Sequence, residues 1–299
     1  MIRPHTTPAL CVLASGSAGN CSVLLCADGA GRKRALLIDA GLSPRRTWNL
    51  LEERGVDPRC VEAIVLTHLD HDHFHDGWRE NGRAGLTLFL HASHLGRAGR
   101  EGALFARAEP FADRFEPLPG VPMRTRVALA AHDELGVAVF RFEFESDRAL
   151  GFATDLGRVP PPVEDLLRGV DVLAIESNYC PRLQEASDRP EFLKRRIMAG
   201  RGHLSNQQCA QAVARVEPRE HVVLLHLSRQ CNRPDLAAEA HAGADYALTI
   251  ATQDEPTRWV RVGAPGSAGV GVPQPAPAAA VRGASAGCVP AGGATVVSA

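Results

Sequence analysis

Thr67-His68-Leu69-Asp70-His71-Asp72-His73-Phe74-His75-Asp76 is the stretch on which the reading of this chain turns. Between residues 68 and 76 stand four histidines and three aspartates, a density that a solvated loop does not need and a cation site does. The cluster begins where Ala63-Ile64-Val65-Leu66 ends. That continuous apolar run is expected of a strand covered on both faces, and strand ends are where α/β folds collect their chemistry. Alternate positions along an extended turn project to one side, while the adjacent Asp72 and His73 can aim at two neighbouring ions. Two ions about 3.5 to 4 Å apart would clamp the attacking and departing groups of a hydrolysis.

Upstream, short β-rich runs at 10–13, 22–26 and 35–38 open the chain, the first two joined by the turn-rich Ser15-Gly16-Ser17-Ala18-Gly19-Asn20. Ser43-Pro44 and Gly55 bracket a helix. Downstream the pattern predicts strands at 86–90, 127–131, 137–144, 149–154, 171–176, 222–227 and 246–251. Helices are predicted at 161–168, 189–199, 206–216 and 234–242. Strands first, then strand and helix in alternation, suit an α/β fold built as a four-layer αββα sandwich. Residues 1–262 are the expected catalytic domain. Residues 263–299, mostly Gly, Ala, Pro and Val with almost no charge, are an expected disordered tail.

The formal net charge of −1 over 299 residues gives no global basic field, so a nucleic-acid partner would need a local patch. Two Tyr and three Trp offer little base-stacking surface. The eight cysteines lack CxxC spacing and read as free thiols of a reducing compartment. The N-terminal apolar stretch is too short for a signal peptide, and no apolar run reaches the ~18 residues of a membrane span. A cytoplasmic protein without a membrane partner is expected.

Thr67-His-Leu-Asp-His-Asp-His73 resembles the HxHxDH signature of metallo-β-lactamase-fold hydrolases, in the register His68, Asp70, Asp72, His73. A competing register through His71, His73 and His75 loses the Asp-His pair. Asp70 departs from the signature, standing where most of that family has its second histidine; an HxDxDH version resembles the ComEC nuclease branch. A carboxylate there makes the site harder, extending the plausible metals from zinc to zinc or manganese. The resemblance implies His132 as a further ligand, Asp155 in Gly151-Phe-Ala-Thr-Asp155-Leu-Gly157 as a bridging carboxylate, and His226 as the last ligand. It thus implies two divalent metal ions, Zn(2+) first and Mn(2+) as the alternative. His68, Asp70 and His132 would hold one, Asp72, His73 and His226 the other, with Asp155 between them.

Three further segments, Ser15 to Asn20, Glu176-Ser-Asn-Tyr179 and Gly202-His-Leu-Ser-Asn206, join His226-Leu-Ser-Arg-Gln-Cys-Asn232 in resembling the YycJ/WalJ branch. That branch is similar to ribonuclease Z, and the resemblance covers residues 10–250. It implies exonuclease-like phosphodiesterase activity on DNA through a hydroxide bridging the two ions. Asp72 and His203 are the catalytic candidates, His203 as proton donor to the leaving oxygen. Ser205 has a competing reading as a helix N-cap. Lys194, Arg195 and Arg196 with Arg201 form the best basic cluster, and with Ser205, Asn206 and Arg229 they are the candidate contacts to DNA or another phosphodiester. A small-molecule hydrolase of the same fold and a non-catalytic metal-binding scaffold are the competing readings, and a homodimer is the default assembly.

Overall fold

The structure, a computed structural model, describes residues 7–81, 85–102, 107–132 and 134–263. A strand covered on both faces is apolar along its whole length. β1 (Ala9–Ala14), with the sequence ALCVLA, is accordingly buried at every residue. It lies in a seven-stranded sheet with β2 (Cys21–Ala27), β3 (Lys33–Ile38), β4 (Val61–Val65), β5 (Thr87–His91), β6 (Ala108–Phe111) and β14 (Val260–Arg261), in the order β14-β1-β2-β3-β4-β5-β6. The second seven-stranded sheet runs β13-β12-β11-β10-β9-β8-β7. Its strands are β7 (Arg114–Phe115), β8 (Met123–Ala130), β9 (Val137–Phe144), β10 (Ala149–Ala153), β11 (Val172–Glu176), β12 (His221–Leu225) and β13 (Ala247–Ile250).

Because successive side chains point to opposite faces, each strand feeds two cores. Leu10 and Val12 of β1 join Phe140 and Phe142 of β9 and Leu150 and Phe152 of β10 in the core between the sheets. Cys11 and Leu13 face outward with Leu51 of α1 (Pro44–Glu53) and Trp78 of α2 (Gly77–Asn81). The outer face of the second sheet is covered by α4 (Pro161–Leu167), α7 (Asn206–Val216) and α8 (Pro234–Glu239), through Val163, Val213 and Ala237 among others. Three apolar interfaces stack four layers, the αββα sandwich expected from the order of elements. β3, β4, β5 and β6 are parallel to one another, as are β10, β11, β12 and β13.

Several boundaries differ from those expected. The strand expected to reach 227 ends at Leu225, and the one expected to reach 154 ends at Ala153. The cause is local: His226 (φ 56°) and Asp155 (φ 53°) adopt left-handed backbone that no strand can continue. The helix expected over 189–199 is α6 (Glu191–Arg196) followed by a wide turn over Ile197–Arg201, broken where Gly200 takes φ 75°. β6, β7, β14, α2, α3 (Leu95–Arg100) and α5 (Pro181–Ala186) had no clear pattern in the sequence. Seven cysteines are free thiols among the described residues, and no helix there is long and apolar enough to cross a membrane. The tail expected at 263–299 lies outside the described residues from 264 onward.

Candidate metal centre

The His/Asp cluster leaves the end of β4 as a tight turn in which the N–H groups of His73 and Phe74 both donate to the Asp70 carbonyl, at 2.8 and 2.9 Å. Leu69 and Phe74 are buried and anchor the loop, and of the polar residues between them Asp70, Asp72 and His73 are presented to the cluster. Two neighbouring segments hold it: Asn20 N–H donates to the Asp72 carbonyl at 2.7 Å, and Ala40 N–H to the His73 carbonyl at 2.8 Å. A Cβ added to Gly41 would lie 1.8 Å from the Asp72 oxygen, so this approach requires glycine.

The second sheet brings its contribution from the ends of β8, β10, β11 and β12, which supply His132, Asp155, Glu176 and His226. Five imidazoles close a ring: centroids are 4.2 Å apart for His68 and His73, 5.8 Å for His73 and His226, and 5.2 Å for His226 and His203. The circuit is completed by His203 to His132 at 5.5 Å and His132 to His68 at 5.2 Å. Asp155 reaches into this ring, its Oδ1 lying 3.1 Å from His226 Nδ1 and its Oδ2 against His73 Nε2 and 3.8 Å from His68 Nε2. Burial alone would raise the Asp155 carboxyl, yet His226 and His73 beside it hold it well below the usual carboxylate range.

All seven ligand candidates therefore meet. Ligand atoms of His68, Asp70 and His132 lie together, as do those of Asp72, His73 and His226, and Asp155 groups with His68 and His73. His71 and His75 of the competing register do not join them. The His71 side chain is 76% exposed, and His75 Nδ1 accepts from Gly77 N–H at 2.9 Å.

Each imidazole is turned by a partner on its other nitrogen, the arrangement that fixes tautomer and aim in metal sites. His73 Nδ1 donates to Asp39 Oδ2 at 2.7 Å, and His132 Nδ1 to the Gly202 carbonyl at 3.2 Å. Glu176 Oε1 accepts from His203 Nδ1 at 2.6 Å and from His226 Nδ1 at 3.1 Å. Its Oε2 accepts from the N–H groups of Leu156 and Leu204 at 2.8 and 3.2 Å. Burial works against charge on both rings, but Asp155 carries His226 up to about 9, and Glu176 with Asp155 carries His203 up to about 10. Asp39 and Glu176 escaped sequence reasoning as site residues. Each is a single carboxylate ending an apolar strand, Leu36-Leu37-Ile38-Asp39 and Leu173-Ala174-Ile175-Glu176, the same signal that marked Asp155.

A cavity of about 400 Å³ opens onto the cluster, lined by His68, Asp70, Asp72, His132, Asp155, His203 and His226 and also by Ser17, Arg189 and Arg196. Of the expected substrate contacts, Arg196 is on this wall and exposed Arg195 is its neighbour on α6. Lys194 turns away to the Glu185 carbonyl at 2.8 Å, and Arg229 pairs with Asp254 at 2.6 Å. Asn206 is buried against Ser177 and Asn232. Ser205 caps α7 through a reciprocal pair with Gln208. Arg189 was not singled out in the sequence.

A profile of the beta-lactamase superfamily domain matches residues 34–227, which span the turn, Asp155 and His226. The chain belongs to that superfamily. Within it, the chain is similar to the exodeoxyribonuclease WalJ of Streptococcus pneumoniae serotype 2, 27% identical over 270 residues that cover 82% of this chain and 95% of that one. It is also similar to the exodeoxyribonuclease YycJ of Bacillus anthracis, 26% identical over 244 residues, 76% and 84% of the two chains. Among solved structures, the fold matches the metallo-β-lactamase fold protein YhfI of Bacillus subtilis with a TM-score of 0.62 at 16% identity, covering 84% of this chain and 100% of that one. A long form RNase Z from yeast matches with a TM-score of 0.56 at 11% identity, over 86% and 42% of the two chains.

The superfamily implies divalent metal ions, and the residues fit them. Asp155 Oδ2 is a buried carboxylate oxygen without a hydrogen bond, set between the two ligand groups where a shared ligand belongs. Imidazoles with fixed tautomers and carboxylates held ionised supply a borderline-to-hard donor set. This superfamily member is a metal-dependent hydrolase.

Proposed function

We propose that the chain is a dinuclear phosphodiesterase acting on DNA, an exonuclease-like enzyme using Zn(2+) or Mn(2+). The observation that carries this reading is the pair of arginines, Arg189 and Arg196, on the wall of the cavity. Arg189 is held by three neutral acceptors, Gln230 Oε1 at 2.8 Å, Ser228 Oγ at 3.3 Å and Gln184 Oε1 at 3.4 Å. Those partners fix its direction without matching its charge, and with Arg196 it makes a preorganised cationic rim suited to a phosphate backbone. Phe192, 73% exposed on the same helix as Arg196, adds a ring on which a base can stack. The two exodeoxyribonuclease relatives support the same reading.

His68, Asp70 and His132 would hold one ion, Asp72, His73 and His226 the other, with Asp155 shared. Bound there, the ions supply Lewis acidity and an activated water. Asn20 Nδ2, 3.1 Å from His73 Nε2 and 3.4 Å from Asp72 Oδ2, and Asn178 Nδ2, which donates to the His226 carbonyl at 2.8 Å, keep the ligand loops in place. Glu176 anchors His203 by Nδ1 and favours its protonated form. His203 then gives the proton needed by the departing ester oxygen.

The test is incubation of the purified protein with Zn(2+) or Mn(2+) and 5′-labelled single- and double-stranded DNA. Bis-p-nitrophenyl phosphate and the variants Asp72→Ala and His73→Ala run in parallel. Metal-dependent shortening of the strand, lost in both variants, is expected. Intact DNA with hydrolysed ester would replace DNA by a small phosphodiester, and silence towards both would remove the phosphodiesterase reading.

A further inference from the structure

Asp70 brings to the ligand set one carboxylate more than the HxHxDH pattern holds, and the structure shows what stands against its charge. Arg97 of α3 donates through Nη1 to Asp70 Oδ1 at 2.9 Å and through Nη2 to the Leu69 carbonyl at 3.2 Å. Its Nε is occupied by Glu101 Oε1 at 2.8 Å, which fixes the plane of the guanidinium. The two oxygens of Asp70 are thereby divided. Oδ1 belongs to Arg97, while Oδ2 lies 3.7 Å from His68 Nε2 and 3.9 Å from His132 Nε2, on the side of its ligand partners.

Three carboxylates, Asp70, Asp72 and Asp155, thus group at the candidate centre, and among the described residues one guanidinium, that of Arg97, is bonded to the unusual one. We infer that Arg97 is a positioning and charge-compensating residue of the metal centre, which offsets part of the charge of Asp70 and lets it act as a one-oxygen ligand in place of the histidine usual at that position. The pair acts as a unit: a histidine in place of Asp70 would take away one of the two carboxylates bonded to the guanidinium and set that cation beside a metal ion, and loss of Arg97 would leave Asp70 with surplus charge and no fixed orientation. Glu101, shared with Arg79 at 3.7 Å, meets Arg97 at Nε and leaves Nη1 to Asp70. The inference concerns cation binding and holds whatever the substrate is.

The experiment is a cycle of full-length proteins, wild type, Arg97→Met, Arg97→Lys, Asp70→His and Asp70→His/Arg97→Met, each titrated with Zn(2+) against a competing chelator, with bound metal counted by mass spectrometry. Arg97→Met and Asp70→His are each expected to weaken one of the two ions by about 10- to 100-fold, the range for loss of a ligand's supporting partner. The other ion, on Asp72, His73 and His226, stays bound and reports that the fold is intact. Arg97→Lys, which keeps the charge, is expected to fall between Arg97→Met and wild type. The double variant is expected to recover to near wild-type affinity, a rescue that a purely structural role for Arg97 cannot give. Wild-type affinity in Arg97→Met, or a double variant no tighter than Asp70→His alone, would overturn the inference.

Discussion

Asp39, Asp155 and His226 share a feature: φ values of 59°, 53° and 56° in residues that are not glycine. Left-handed backbone is costly for such residues and persists only where the surroundings over-determine it. All three lie just beyond strand ends, where the kink turns Asp155 and His226 out of the sheet towards the candidate metal sites and Asp39 onto Nδ1 of His73. Glu176 acts at the same scale by accepting four hydrogen bonds, two from imidazoles and two from backbone. Glu176→Gln replaces one acceptor oxygen by a donor and leaves either the ring N–H groups or the backbone N–H groups facing an amide N–H. The expected outcome is a loss of hydrolysis rate or metal affinity of about 10- to 100-fold, read by single-turnover hydrolysis beside metal counting; an unchanged rate and metal content would show that His203 and His226 need no such support. The candidate ligands were legible in the sequence because they are dense, as at 68–73, or placed where a family resemblance expects them, as at 132, 155 and 226. Asp39 and Glu176 were not, since their meaning comes from the imidazoles they meet across the fold.

Elements were legible in proportion to their burial. β9 and α7 follow the expected bounds because one has an unbroken run of apolar and alternating residues and the other has a cap and an apolar stripe, with Cys209, Ala212, Val213 and Val216 buried. β6, β7 and β14 lie at or beside sheet edges and carry charged or Pro residues; their pairing is set by neighbours, which periodicity does not reveal. α6 stopped short because the chain must turn at Gly200 to bring Gly202 under His132 and His203 into the cavity. Ser205 shows how an element can claim a residue that the sequence also offered to the substrate: its Oγ accepts from Gln208 N–H at 3.2 Å while Gln208 Oε1 accepts from Ser205 N–H at 2.8 Å. Ser205→Ala is therefore expected to cost about 1 kcal/mol of stability, measured by urea denaturation, and a cost near zero would return Ser205 to the candidates for substrate contact.

At the scale of the molecule, the near-neutral net charge conceals a divided electrostatic architecture. Beside Asp155, the rings of His73, His203 and His226 are pushed up, whereas His132 at the same centre and, away from it, His221 of β12 and His241 just beyond α8 are lowered from 6.5 by burial. His221 Nε2 lies 2.8 Å from Thr249 Oγ1, and His241 Nδ1 2.7 Å from the Tyr246 hydroxyl; neither faces a carboxylate in these bonds. A histidine with a folded value below its unfolded one binds fewer protons when folded, so its contribution to stability is whole above pH 6.5 and declines as pH falls below it. In the metal-free protein His203 and His226 act with the opposite sign, their contribution being whole below 6.5 and lost as pH rises through about 9 to 10. The unfolding free energy of wild type, measured in urea between about pH 7 and pH 5 where histidines titrate, is accordingly expected to fall relative to that of His221→Gln/His241→Gln. Parallel curves for the two proteins would mean that these buried rings keep their ordinary proton affinity and that acid sensitivity arises at the metal centre instead.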